Sequence, residues 1–114
     1  AAFGSVGVRG ETYKTSAPTA IAVQAVAALT TQTALSVSGK AHFSRSGRSA
    51  IAAGKSSLKV TLAGTTASSK VFAVLATSAT GRFVRAVVPA SGSFTVYLNT
   101  TVAAKSYLSW FVLD

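Results

Sequence analysis

Few residues in this chain are equipped for acid–base or metal chemistry: one histidine, His42, two acidic side chains, Glu11 and Asp114, and no cysteine. General acid–base catalysis needs at least two titratable groups held together in separate roles. Glu11 and Asp114 stand in different parts of the sequence, and His42 is flanked by Ala41 and Phe43, so no such pair is expected within one chain. A metal centre needs three or four ligands, which this set does not supply unless three copies of His42 meet on a symmetry axis. Gly54-Lys55-Ser56 has the ending of a phosphate-binding loop, but the glycine required five positions earlier is replaced by Ser49. The expectation is therefore a protein that is not an enzyme and needs no cofactor.

Cations are the other chemical resource. Eleven Lys and Arg face two acids, for a formal charge of +9, and such a field favours polyanionic partners. The densest basic feature comprises Lys40, Arg45, Arg48, Lys55 and Lys59, with Ser44-Arg45-Ser46-Gly47-Arg48 at its centre. Its functional reading is a grip on phosphate, sulfate or an acidic polymer; its structural reading is a solvated hairpin turn, favoured because no aromatic residues interleave with it as nucleic-acid platforms require. Tyr97 and Tyr107, with Tyr13 and Phe83, are candidates for stacking on sugar rings. Asn99-Thr100-Thr101 fits the N-glycosylation acceptor pattern, and a turn after a strand explains the same residues.

The elements that must position these side chains read as β. Hydrophobic residues make up 49% of the 114 positions and charged ones only 11%, against about 25% in ordinary domains; Ser and Thr carry the polar burden with 16 and 14 residues. Residues 1–44 hold a weak repeat: Ser5-Val6-Gly7-Val8-Arg9-Gly10, Thr19-Ala20-Ile21-Ala22-Val23-Gln24-Ala25 and Thr33-Ala34-Leu35-Ser36-Val37-Ser38-Gly39. In each copy two aliphatic residues two apart, Val6/Val8, Ile21/Val23 and Leu35/Val37, point to one side of a strand. A rung of this kind cannot bury its pair alone, so these six residues form the expected oligomer interface. A helix over residues 19–29 is the rival, since alanine favours it; β-branched Ile21, Val23 and Val26 oppose it.

Residues 45–114 have the spacing of an antiparallel sandwich or barrel, with about six strands separated by Gly and Pro turns. Leu58, Val60 and Leu62 alternate cleanly with Lys59 and Thr61, and Phe94-Thr95-Val96-Tyr97-Leu98 repeats the pattern. Residues 71–76 and 83–88 are more continuously apolar, as strands covered on both faces would be. Trp110, Phe94 and Phe72 are the expected core anchors. No apolar run approaches the roughly 20 residues of a membrane span.

Several strings together, Ala34-Leu35-Ser36-Val37-Ser38-Gly39-Lys40-Ala41-His42-Phe43, Ala53-Gly54-Lys55-Ser56-Ser57, Ala86-Val87-Val88-Pro89, Gly92-Ser93-Phe94-Thr95-Val96-Tyr97-Leu98-Asn99 and Trp110-Phe111-Val112, carry a likeness. Nearly the whole chain resembles the C-terminal module of actinobacterial surface-type proteins that carry Gly-Val-x-Gly repeats, and Gly4-Ser5-Val6-Gly7-Val8-Arg9-Gly10 resembles such a repeat. The arrangement is similar to trimeric bacteriophage fibres and virion decoration proteins. The resemblance implies Gly-rich rungs leading into a compact β head.

The sequence thus predicts an all-β chain: a stacked-strand oligomerisation segment over 1–44 and a small, jelly-roll-like β-sandwich head over 45–114. The expected role is a homotrimeric structural or attachment protein on a virion or cell surface, extracellular, binding a capsid or cell-surface component. A carbohydrate-binding, lectin-like module and a basic nucleic-acid binder are the alternatives.

Overall fold

The computed structural model describes Thr12 and residues 20–114. The chain divides into two units, Ala1–Ala41 and His42–Asp114. In the first, residues 20–41 form neither strand nor helix. The repeat copies around Ile21/Val23 and Leu35/Val37 are therefore not strands within a single chain, and the helix over 19–29 is absent from its described part. Val6 and Val8 lie outside the described residues, as do Glu11 and Tyr13.

The second unit is all-β: β1 (Ser46–Ile51), β2 (Ser57–Thr61), β3 (Lys70–Leu75), β4 (Val84–Ala90), β5 (Ser93–Leu98) and β6 (Ser106–Leu113). They form two three-stranded antiparallel sheets, ordered β1-β6-β3 and β2-β5-β4. The first strand pairs with the last and the second with the fifth, the nested pairing of a jelly roll reduced to six strands. Ser91-Gly92 closes the β4–β5 hairpin, and the positive φ of Gly92 (74°) supplies a turn that a side chain would disfavour.

The core lies between the sheets and is built by alternation. Phe94, Val96 and Leu98 of β5 are buried, and Leu108 and Val112 of β6 face them, joined by Ile51 at the end of β1 and Val102 from the β5–β6 loop. Leu58, Val60 and Leu62 pack against this cluster as their spacing predicts. Trp110 lies edge-on to Phe94, with ring centroids 5.1 Å apart, and its indole Nε1 donates to Ser49 Oγ (3.0 Å). A buried indole N–H needs such a partner.

Three expectations are corrected. Phe72 is not a core anchor: it is 51% exposed on the outer face of β3, stacked on Phe111 at 4.9 Å. Residues 71–76 and 83–88 are not covered on both faces, because Val74 and Val88 also point outward. β3 and β4 are each at the edge of a sheet only three strands wide, and no element of the second unit covers their outer faces. The segment centred on Ser46-Gly47-Arg48 is strand β1 rather than a hairpin turn, since Gly47 is the residue that lets the Trp110 ring lie against that strand.

Candidate functional site

Consecutive strands alternate in direction, so the loops after β1, β3 and β5 gather at one end of the sandwich and those after β2 and β4 at the other. At the first end the loops are stitched to one another. Gly54 N donates to Val102 O (2.7 Å) and Val102 N to Lys55 O (3.0 Å), tying the β1–β2 loop to the β5–β6 loop. Asn99 holds the β3–β4 loop with both atoms of its amide: Phe83 N donates to Oδ1 (2.9 Å) and Nδ2 donates to Gly81 O (2.9 Å). Its amide thus serves as a structural clamp, which accounts for Asn99 without a glycan.

Arg82 belongs to the same end. Its Nε donates to Thr101 O (3.0 Å) and its Nη1 to Thr80 O (2.8 Å), so the guanidinium bridges two loops in a fixed position. Beside it opens a cleft of about 220 Å³ lined by Thr77, Ser78, Thr80, Arg82, Lys105 and Ser106 together with alanines. One floor residue, Thr77, accepts the Tyr107 N–H at Oγ1 (2.9 Å).

The opposite end holds the one acidic side chain among the described residues. Asp114 Oδ2 lies 3.3 Å from Arg45 Nε, and Ser69 Oγ donates to Asp114 Oδ1. The Arg45 guanidinium also donates to Ala63 O (2.7 Å, Nη1) and Thr65 Oγ1 (3.2 Å, Nη2). Although Nε is within ion-pair distance of Asp114, its N–H makes no hydrogen bond. Arg45 is therefore a strut that pins the β2–β3 loop.

Of the five cations singled out in the sequence, Lys40 lies in the first unit, and the four in the second unit do not meet. Arg45 is spent on the β2–β3 loop; Arg48 stands on the outer face of the β1-β6-β3 sheet, and Lys59 on the outer face of the other. Lys55 is in the β1–β2 loop. Proximity along the chain misleads here because a strand turns its neighbours to opposite faces and a loop carries the next strand to the other sheet.

Tyr97 and Tyr107 likewise sit on different sheets, and each carries a cation over its ring: Arg85 at 5.3 Å from Tyr97, and Arg48 at 4.2 Å and Lys105 at 5.5 Å from Tyr107. A sugar stacking on the same side of these rings would displace an interaction of about 0.5–1 kcal/mol. His42 is exposed in the lead-in to β1, and among the described residues no three His, Cys, Asp or Glu come together to hold a metal.

Sequence reasoning missed Arg82 and Lys105. Their signal was present: each stands in a loop that follows an odd-numbered strand, and alternation sends all such loops to one end. No helix among the described residues is long and apolar enough to cross a membrane. Comparison with known proteins finds no matching family model, no similar curated protein and no similar solved structure.

Proposed function

We propose that this protein is a non-catalytic structural or attachment component that assembles as a homotrimer and works at a virion or cell surface. One observation carries the assembly: Ile21, Val23, Val26, Leu29, Leu35 and Val37 are all between 56% and 72% exposed along a segment with no strand or helix of its own. Isolated exposed aliphatics are ordinary, but six within 17 positions of a segment without strand or helix are a surface awaiting cover. Burying each contributes about 1.5–3 kcal/mol. Three such segments wound around one axis cover one another from all sides, the arrangement that the Ile21/Val23 and Leu35/Val37 spacing suits.

The head supports the attachment reading: it is a sandwich with loops stitched to one another and eight Lys and Arg against one acidic side chain. The resemblance to the head modules of Gly-Val-x-Gly repeat surface proteins, and to trimeric fibre and decoration proteins, points to the same role. Three heads on one stalk would act by avidity, each adding effective concentration to the next.

Sedimentation equilibrium of the full chain is the test. The expected mass is three times the 11.5 kDa of the chain, dropping to one on replacing Ile21, Val23, Leu35 and Val37 by Ser. A wild-type monomer at concentrations near 100 μM, a weak limit of about 5–6 kcal/mol of association, overturns the proposal.

A further inference from the structure

We infer that the cleft between the β3–β4 and β5–β6 loops binds a sulfate or phosphate ester group on a sugar chain. This gives the attachment reading a ligand and rests on it only for the setting, since every residue of the site comes from one chain.

The charge distribution is the first ground. The second unit carries eight Lys and Arg, and its one acidic side chain, Asp114, is bound to Arg45 at the far end. Lys55, Arg82 and Lys105 are left at the loop end with no carboxylate among the described residues to neutralise them. Like charges gathered without a counter-charge repel one another, and an incoming anion relieves that repulsion.

The second ground is preorganisation. A guanidinium has five N–H donors. Two of those of Arg82 are held by Thr101 O and Thr80 O, which fix its plane and leave three for a ligand. Little side-chain entropy remains to be lost when an oxyanion arrives. Lys105, whose Nζ is 5.5 Å from the Tyr107 ring centroid, lines the same cleft as a point charge, with the hydroxyls of Thr77, Ser78 and Thr80 as further donors.

Size and lining choose the ligand class. At about 220 Å³ the cleft falls below the roughly 300–1,000 Å³ of pockets that enclose a whole drug-sized ligand. It takes one tetrahedral group and an edge of the ring that bears it. Nucleic acid is disfavoured because no aromatic side chain lines the cleft to stack a base.

The test is a titration of the ¹⁵N-labelled full chain with a heparin-derived tetrasaccharide, a phosphorylated mannose oligosaccharide and a single-stranded DNA oligomer. Work at 0.15 M salt screens distant charges beyond about 8 Å. Amide shifts should cluster at residues 77–82 and 103–106, and the tighter of the two sugars identifies the ester. Lys105→Gln should weaken that sugar about tenfold, the worth of one charged hydrogen bond.

Lys70→Gln, an equal loss of charge on the outer face of β3, should change affinity less than twofold. Arg82→Gln should cost at least as much as Lys105→Gln, but because Arg82 also holds its loops, Lys105→Gln is the deciding variant. Equal weakening by Lys70→Gln and Lys105→Gln, shifts spread over the whole surface, or tighter binding of DNA than of both sugars overturns the inference. A monomer with the clustered shifts keeps the site and removes the trimer; a trimer without them does the reverse.

Discussion

Replacing Gly47 by alanine adds one carbon at the most crowded of the described glycines. Gly47 of β1 is directly opposite Trp110 of β6, and the indole lies over it: a Cβ at position 47 would sit 2.7 Å from Trp110 Cζ2 and 3.1 Å from Cε2. Carbon atoms cannot share that distance, so the ring must move. It is not free to do so, because its Nε1 is bonded to Ser49 Oγ and its edge packs against Phe94, the largest fully buried side chain. Overpacking of this kind costs about 1–3 kcal/mol, and a displaced indole forfeits a hydrogen bond worth about 1 kcal/mol. Alanine returns about 0.4–1 kcal/mol by restricting the unfolded chain. The net expectation is a loss of about 2 kcal/mol, or a fall in melting temperature of roughly 8–16 °C for a unit of this size. Urea unfolding followed by the fluorescence of Trp110, the only tryptophan, measures the loss. The decisive control is a double-mutant cycle with Trp110→Phe read by circular dichroism: with the larger ring gone, Gly47→Ala should cost little. A Gly47→Ala protein as stable as the wild type, or an equal cost in both backgrounds, refutes the reasoning.

Two further predictions concern residues whose chemistry is structural. Arg45→Ala should lower stability by about 1–2 kcal/mol, the worth of partly exposed charged hydrogen bonds to Ala63 O and Thr65 Oγ1. It should leave the affinity for the heparin-derived tetrasaccharide within twofold, as titration of the folded variant will show. Asn99→Ala removes both hydrogen bonds that its side-chain amide makes to the β3–β4 loop; about 1–3 kcal/mol should be lost in chemical unfolding, with faster amide exchange at Phe83. The mass expected in sedimentation and the tenfold effect of Lys105→Gln complete the set.

The outer faces of the sandwich connect these predictions to how the protein is used. Phe72 and Phe111 stack in the open on the β1-β6-β3 sheet, with Val74 and Leu113 beside them. The other sheet shows Lys59, Thr61 and Thr95. Cations border both: Lys70 pairs in register with Leu113, and Arg85 stands at the irregularity in β4 between Val84 and Ala86. Charge and broken register on an edge strand discourage pairing with a stray strand.

Alternation alone determined the β class of residues 45–114 and the inward set Leu58, Val60, Leu62, Phe94, Val96 and Leu98. A strand's two-residue period is a local property, so it is written in adjacent positions. What surrounds each face was not local. Phe72 and Val74 read as core, yet their partners across the strand belong to β6, and no element of the second unit covers that side. Arg45, Arg48 and Lys59 read as one patch because they are close in sequence, but the crossing from β1 to β2 places them in three environments. Conversely Arg82 and Lys105, 23 positions apart, share a cleft because two loops follow strands of the same direction. The sequence sets which way each side chain points along its own strand; only the order of strands in the two sheets decides which side chains meet, because that order is fixed by pairings between residues far apart in the chain.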